Sequence, residues 1–245
     1  MIPQHIGFIM DGNGRWAQQQ GMKRSQGHYA GAAVAESMVR LCADLGIRFV
    51  TLFAFSAENW GRPEEEVCLL FQILLQYLTE KSDEMIEKGV RIRFTGQKGN
   101  LPKTVFETME RIEKKSTRQD RLDMIIAVNY GGRQEIWDAV IKACRYFKDK
   151  DLDGLERESS EMLRRFLYHP DIPDPDLIIR TSGEQRISNF LLWQMAYAEL
   201  YFTPTLWPEF GKAHLEEALE SYASRHRRFG GVDDYGTSFK KRDFS

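Results

Sequence analysis

The residues best suited to chemistry fall in a few short clusters. The first is Ile6-Gly-Phe-Ile-Met-Asp-Gly-Asn-Gly-Arg-Trp16. An apolar run empties into Asp11, then Gly12, Asn13, Gly14, Arg15 and Trp16. A strand that opens into a glycine loop before a helix bares backbone N–H groups, and such groups hold phosphate. A carboxylate there repels a phosphate unless a cation sits between them, so Asp11 points to phosphate plus a divalent metal. The second cluster, Lys23-Arg-Ser-Gln-Gly-His28, puts Arg24 and His28 at a helix start, where charge and dipole both favour an anion. The third, Phe55-Ser-Ala-Glu-Asn-Trp-Gly-Arg-Pro63, packs a hydroxyl, a carboxylate, an amide, an indole and a guanidinium into one loop. Such a density is hard to explain by folding alone. The fourth, Arg180-Thr-Ser-Gly-Glu-Gln-Arg-Ile-Ser188, offers forked arginine donors with hydroxyls, a set suited to phosphate oxygens. Glu199 lies inside an apolar, strand-like segment, where a charge needs a partner or a metal.

Each cluster also has a plainer explanation. Gly12-Asn-Gly-Arg-Trp-Ala17 fits G-x-G-x-x-A, the permissive dinucleotide fingerprint, and would serve a nucleotide-dependent oxidoreductase. Asp11 counts against that use, and no acidic residue closes the second strand, which ends Ala54-Phe55-Ser56. Asp11 also suits a helix N-cap in a purely structural turn. The run at 23–28 reads as a solvated basic turn, and the loop at 180–188 as a surface salt-bridge loop. Pro63 and Glu64-Glu-Glu66 form an ordinary helix start, which makes Glu66 structural. No Ser-His-Asp pattern, P-loop lysine, zinc spacing or Asp-Asp-x-x-Asp pair stands out. A diphosphate enzyme built from this chain would rely on one front aspartate and its arginines.

The elements that must position these residues alternate. Short apolar runs lie at 6–10, 49–55, 90–95, 124–129, 177–179 and 198–202. Helical patterns begin near Arg15 and occupy 27–45, 64–88, 102–115, 133–147, 156–166, 190–195 and 212–227. Strands separated by helices predict an α/β fold with a mainly parallel sheet, whose ligands bind beyond the carboxyl ends of the strands. Asp11, the loop at 56–62 and the loop at 180–188 all follow strands, which favours one shared site. From Val67 to Leu78 only Gln72 and Gln76 interrupt an apolar run. Such a helix is either buried on all sides or packs one face on the core and turns another to an apolar cavity. The 245 residues carry a net charge of −2, without the broad basic footprint of a nucleic-acid binder. Cys42, Cys68 and Cys144 are far apart in helical patterns and read as buried thiols. The chain shows no leader and no membrane span, so a cytoplasmic enzyme is expected. Its polar end, 232–245, reads as a tail.

Together these motifs carry a resemblance. Asp11-Gly-Asn-Gly-Arg-Trp-Ala, Arg24, Gly27-His28, Phe55-Ser-Ala-Glu-Asn-Trp-Gly-Arg-Pro, Asn129-Tyr-Gly-Gly-Arg, Asp176-Leu-Ile-Ile-Arg-Thr-Ser-Gly-Glu, Arg186-Ile-Ser-Asn-Phe-Leu-Leu-Trp-Gln and Ala198-Glu-Leu-Tyr-Phe occur in the order found in cis-prenyltransferases. The chain most resembles bacterial undecaprenyl diphosphate synthases, from residue 6 to about 231. The resemblance implies a single catalytic domain over 1–231. Its fold would be a mainly parallel sheet of about six strands surrounded by helices, with an apolar tunnel. It implies Mg²⁺-dependent condensation of isopentenyl diphosphate with an allylic prenyl diphosphate such as farnesyl diphosphate. The product would be a long-chain polyprenyl diphosphate, undecaprenyl diphosphate, precursor of the lipid carrier for cell-wall glycan synthesis. It implies a homodimer, with peripheral contact at the inner face of the plasma membrane for product release and no nucleic-acid partner. Asp11 resembles the essential aspartate that works with Mg²⁺, and Glu199 a metal ligand. Gly12, Asn13, Gly14, Arg15, Arg24 and His28 resemble the allylic diphosphate site. Trp16 and Trp60 would lie near the prenyl chain. Ser56 and Asn59 resemble residues assisting proton removal, with Ala57, Glu58 and Arg62 beside them in substrate binding. Arg180, Arg186, Ile187 and Ser188 resemble the isopentenyl diphosphate site. Arg228-Phe-Gly resembles an element that reaches a neighbouring subunit. Gln185 stands where some relatives have a histidine.

Overall fold

The computed structural model describes residues 2–148 and 161–225. Strands β1 (His5–Ile9), β2 (Phe49–Ser56), β3 (Val90–Thr95), β4 (Leu122–Tyr130), β5 (Leu177–Arg180) and β6 (Glu199–Phe202) form one sheet in the order β3-β4-β2-β1-β5-β6. Every pairing is parallel. The described helices are α1 (Asn13–Gln19), α2 (Arg24–Asp44), α3 (Glu64–Glu87), α4 (Lys103–Ser116), α5 (Gly132–Phe147), α6 (Glu161–Arg164) and α7 (Lys212–Ser224). The Arg228 element, the tail at 232–245 and the first part of the helical pattern at 156–166, residues 156–160, lie outside the described residues.

Helices cover both faces of this sheet, so its strands are apolar on both sides. Alternate residues divide between two cores. Ile6, Phe8, Leu177, Ile179, Met124 and Ile126 join the larger core. Ile9, Ile178 and Ala127 join the smaller one with Phe190 and Tyr130. The chain passes from β1 to β2 on one side, while β5 lies on the other. That reversal opens a crevice at the carboxyl ends of β2, β1 and β5.

Helix α3 packs two ways. Val67, Phe71, Leu78 and Met85 belong to the core. Leu70, Phe71, Ile73, Leu74 and Tyr77 border an apolar cavity of about 130 Å³. The second of the two sequence readings of this helix therefore matches the packing.

Three expectations need correction. The glycine loop is shorter than expected, because Asn13 and Gly14 already belong to α1. The pattern at 190–195 is not a helix but a series of turns. Ser188, Asn189 and Leu191 take φ values of 49°, 63° and 42°, and left-handed residues break a right-handed helix. Of the cysteines only Cys42 is buried, and burial pushes its thiol up to about 12. Cys68 and Cys144 sit on the outward faces of α3 and α5 and are exposed.

Candidate active site

Asp11 is two residues beyond β1 and held on all sides. Its N–H donates to the Ile9 carbonyl (3.0 Å) and to Thr181 Oγ1 (3.0 Å). The Thr181 hydroxyl donates back to the Asp11 carbonyl at 2.6 Å. Its carboxylate Oδ2 accepts from Arg180 Nη2 at 2.8 Å, and Oδ1 lies 3.5 Å from Arg15 Nη2. Partial burial alone would raise the Asp11 carboxyl. The Arg180 hydrogen bond and charge, with the Arg15 charge, outweigh burial and hold it below the usual carboxylate range. Asp11 is not a helix cap: Gly12, at φ 105°, occupies the N-cap of α1, and no side chain caps it.

Arg180 ends β5 and is 3% exposed. Its Nη1 donates to the Arg186 carbonyl (2.5 Å) and to Ser188 Oγ (2.8 Å). Its buried Nε has no partner among the described residues. A buried guanidinium with a free donor is suited to an incoming oxyanion.

A second cationic group lies opposite. Glu66 accepts from Arg62 Nη1 at 2.8 Å and lies 3.5 Å from His28 Nε2 and 3.9 Å from Arg24 Nη2. Burial lowers the His28 pKa, and the charges of Arg62 and Arg24 add to that against the pull of Glu66. Glu66 is thus the hub that gathers Arg24, His28 and Arg62. Sequence reasoning placed it in an ordinary helix start; the clue was a carboxylate four residues after Arg62. Two glycines allow the assembly. A Cβ on Gly14 would sit 2.6 Å from Arg24 Cζ, so the guanidinium lies against the bare backbone of α1. A Cβ on Gly27 would sit 2.0 Å from the Asn13 carbonyl, so α2 crosses α1 in direct contact.

The loop after β2 is a 3-10 turn, Ala57–Gly61, closed by Ser56 and Asn59. Asn59 Oδ1 accepts the Ser56 N–H at 3.0 Å. Trp60 donates its indole N–H to Asn129 Oδ1 at 2.8 Å, and its ring packs on Phe55 and Phe71.

These groups surround a polar cavity of about 570 Å³, lined by Asp11, Asn13, His28, Ser56, Glu58, Asn59, Arg62, Arg180, Arg186, Ser188 and Asn189. It shares Met10, Asn13, His28, Phe53, Ala54 and Leu70 with the apolar cavity, so the two are contiguous. Gly12, Gly14, Arg15, Arg24, Ala57 and Trp60 flank the polar cavity without lining it, and Trp16 lines neither cavity. Arg15 is turned to Ser182, with Nη1 donating to its carbonyl at 3.2 Å. Ile187 packs against the smaller core. Glu199 is not brought to Asp11. It pairs in register with Leu177, at the opposite end of β5 from Arg180, and binds Arg225 Nη1 at 2.6 Å.

The donor set bears on the expected metal. Among the described residues no three acidic, histidine or cysteine side chains converge, and Gln185 supplies no imidazole. Asp11 is the single hard anionic donor at the carboxyl end of β1. Mg²⁺ commonly binds one or two carboxylates and completes its shell with substrate phosphates and water. The site therefore fits an ion that arrives with a diphosphate, not a cage built from protein alone.

Known proteins match along almost the whole chain. A family model described as "Putative undecaprenyl diphosphate synthase" covers residues 9–230. An isoprenyl transferase of Thermotoga maritima is 48% identical over 234 residues, covering 94% of this chain and 98% of the relative. The crystal structure of lavandulyl diphosphate synthase from Lavandula x intermedia, in complex with dimethylallyl diphosphate, is 33% identical with a TM-score of 0.88, covering 94% of this chain and 98% of that one. The crystal structure of "a probable undecaprenyl diphosphate synthase" from Campylobacter jejuni is 31% identical with a TM-score of 0.76, covering 93% and 98%. With this breadth of match, and with arginines and one aspartate gathered at the strand ends beside an apolar cavity, the chain belongs to the isoprenyl transferase family, the cis-prenyltransferases related to undecaprenyl diphosphate synthase.

Proposed function

We propose that this prenyltransferase condenses isopentenyl diphosphate units onto an allylic primer, farnesyl diphosphate, to build a long cis-polyprenyl diphosphate, undecaprenyl diphosphate. The observation that carries the proposal is the contiguity of the two cavities. One is ringed by guanidinium groups, the other walled by α3 and β2, as a substrate with an anionic head and a hydrocarbon tail requires. The catalytic unit is the domain over 1–231.

Arg180, Arg186 and Ser188 hold the isopentenyl diphosphate, with Ile187 beside them. Gly12 to Arg15, Arg24, His28 and Arg62 hold the allylic diphosphate, and Glu66 keeps their cations in place. Asp11 would hold Mg²⁺, which would supply positive charge where the leaving group becomes anionic. Cleavage of the allylic C–O bond leaves cationic carbon and anionic diphosphate. Prepositioned arginines stabilise the anion, each good contact lowering the barrier by roughly 3 kcal/mol. The alkene of isopentenyl diphosphate forms the new C–C bond and then loses a proton. Asn59 is no base: a neutral amide binds protons too weakly, and its oxygen already accepts the Ser56 N–H. Asn59 and Ser56 orient the reacting groups, and the proton passes to the departing diphosphate or to a carboxylate. Trp60 and Phe55 shield the prenyl chain.

The active form is a homodimer. Trp137 on α5 and Tyr197 before β6, 60% and 75% exposed, offer aromatic surface for such a contact. No described helix is long and apolar enough to cross a membrane. Release of so apolar a product to lipid is assigned in this proposal to peripheral contact with the inner face of the plasma membrane. Incubation with farnesyl diphosphate and labelled isopentenyl diphosphate, followed by sizing of the dephosphorylated product, tests the proposal. The expected result is labelled chains longer than the primer. No incorporation overturns it.

A further inference from the structure

The motif Asn129-Tyr-Gly-Gly-Arg133 contributes nothing to the cavity wall, yet it contacts the catalytic loops from behind. Asn189, at φ 63°, is where those contacts meet. Its carbonyl accepts the Gly132 N–H at 2.7 Å, and its Oδ1 accepts the Arg133 N–H at 2.9 Å. Its Nδ2 donates to Glu58 Oε1 at 2.7 Å. One carboxamide therefore ties the turn after β2 to the first turn of α5. The residue before it, Ser188, accepts from Arg180. Asparagine is among the few side chains that tolerate the left-handed conformation, which here turns Ser188 to Arg180 and the carboxamide to Glu58. A Cβ on Gly131 would sit 2.8 Å from Asn189 Nδ2, so Gly131 makes room for this bridge.

We propose that Asn189 is a positioning residue that locks the Ala57–Gly61 turn to the anion-holding segment ending at Ser188. Glu58, Asn59 and Trp60 are then registered against Arg180 through a single side chain. Asn129, which accepts the Trp60 indole N–H, is a second tether on the same turn. The catalytic consequence rests on the function proposed above; the lock itself does not.

Asn189→Gly keeps the left-handed turn and removes only the carboxamide. Hydrogen exchange should accelerate about tenfold at residues 56–62 and at the Arg133 amide, while the Gly132 amide, bound to the residue 189 carbonyl, stays protected. Asn189→Asp should accelerate exchange at residues 56–62 alike, because it sets a carboxylate against Glu58, while its other oxygen still accepts the Arg133 N–H. Adding Glu58→Gln reverses the donor and acceptor and should restore protection to within about threefold of the parent. Unchanged exchange at 56–62 in both single variants overturns the lock, as does a double variant no better protected than Asn189→Asp. In turnover, Asn189→Gly should lower kcat about tenfold with KM for isopentenyl diphosphate within about twofold of the parent. Unchanged kcat overturns the positioning role. If the parent protein transfers no prenyl group, the proposed function fails while the exchange result still decides the lock.

Discussion

Asp11 and Arg180 meet at 2.8 Å, yet they need not act alike. The carboxylate would carry the metal, and the guanidinium the phosphate. Asp11→Ala should lower turnover by about a thousandfold or more, since it removes the carboxylate proposed to hold the metal. The fold should persist, because the backbone bonds of Asp11 to Ile9 and Thr181 remain. Circular dichroism with a turnover assay checks both parts, and near-normal turnover would exclude the metal role. Arg186 is exposed, and among the described residues its side chain binds only Glu184. Arg186→Ala should therefore raise KM for isopentenyl diphosphate by about tenfold and leave that for the allylic primer nearly unchanged. The reverse pattern would mean that the two diphosphate sites are exchanged.

Helices α1 and α2 form one unit, because Gly27 lets their backbones touch and Gly14 admits the Arg24 guanidinium. Gly14→Ala should keep the melting temperature or raise it slightly, since alanine gains about 1 kcal/mol of helix propensity. The new methyl should push Arg24 aside and raise KM for the allylic substrate about tenfold. A calorimetric scan beside a primer titration separates these effects. Much at this scale was legible in the sequence. Short apolar runs marked the strands, and polar clusters after β1, β2 and β5 marked one shared crevice. What escaped depended on contacts distant in sequence. Glu66 resembles any acid at a helix start until Arg24 and His28 are brought beside it. The apolar run at 190–195 has helical composition, but the left-handed Asn189 before it, bonded to Glu58 and α5, and the left-handed Leu191 within it interrupt a helix. Glu199 reads as a stranded charge until Arg225 is placed 2.6 Å away.

Across the whole molecule, His5 joins β1 to two distant segments. Its ring Nδ1–H donates to the Pro173 carbonyl at 2.7 Å, which makes Nε2 the acceptor for the Thr51 hydroxyl at 2.8 Å. Burial lowers its pKa from 6.5 to about 4, against the opposing effects of Pro173 and Asp176. A depressed folded-state value means that the unfolded chain binds the proton first as the pH falls. The stability His5 confers is present above pH 6.5 and is lost as pH drops to about 4. The span corresponds to ~3 kcal/mol. Urea unfolding at pH 7.5 and pH 4.5 should show this loss, and His5→Gln should reduce the difference between the two pH values. An equal difference in the variant would clear His5 of the effect. The same parallel sheet also fixes an order of assembly. Asp11 and Arg180 are separated by 169 positions in the chain. At a synthesis rate of roughly 5–20 residues per second, the aspartate leaves the ribosome roughly ten to thirty seconds before its arginine. β1 can pair with β2 early, but its other edge must wait for β5. The crevice is therefore completed only once β5 emerges, and a nascent or truncated chain ending before residue 177 would hold most of the larger core with an unpaired strand edge and without the anion site at Arg180.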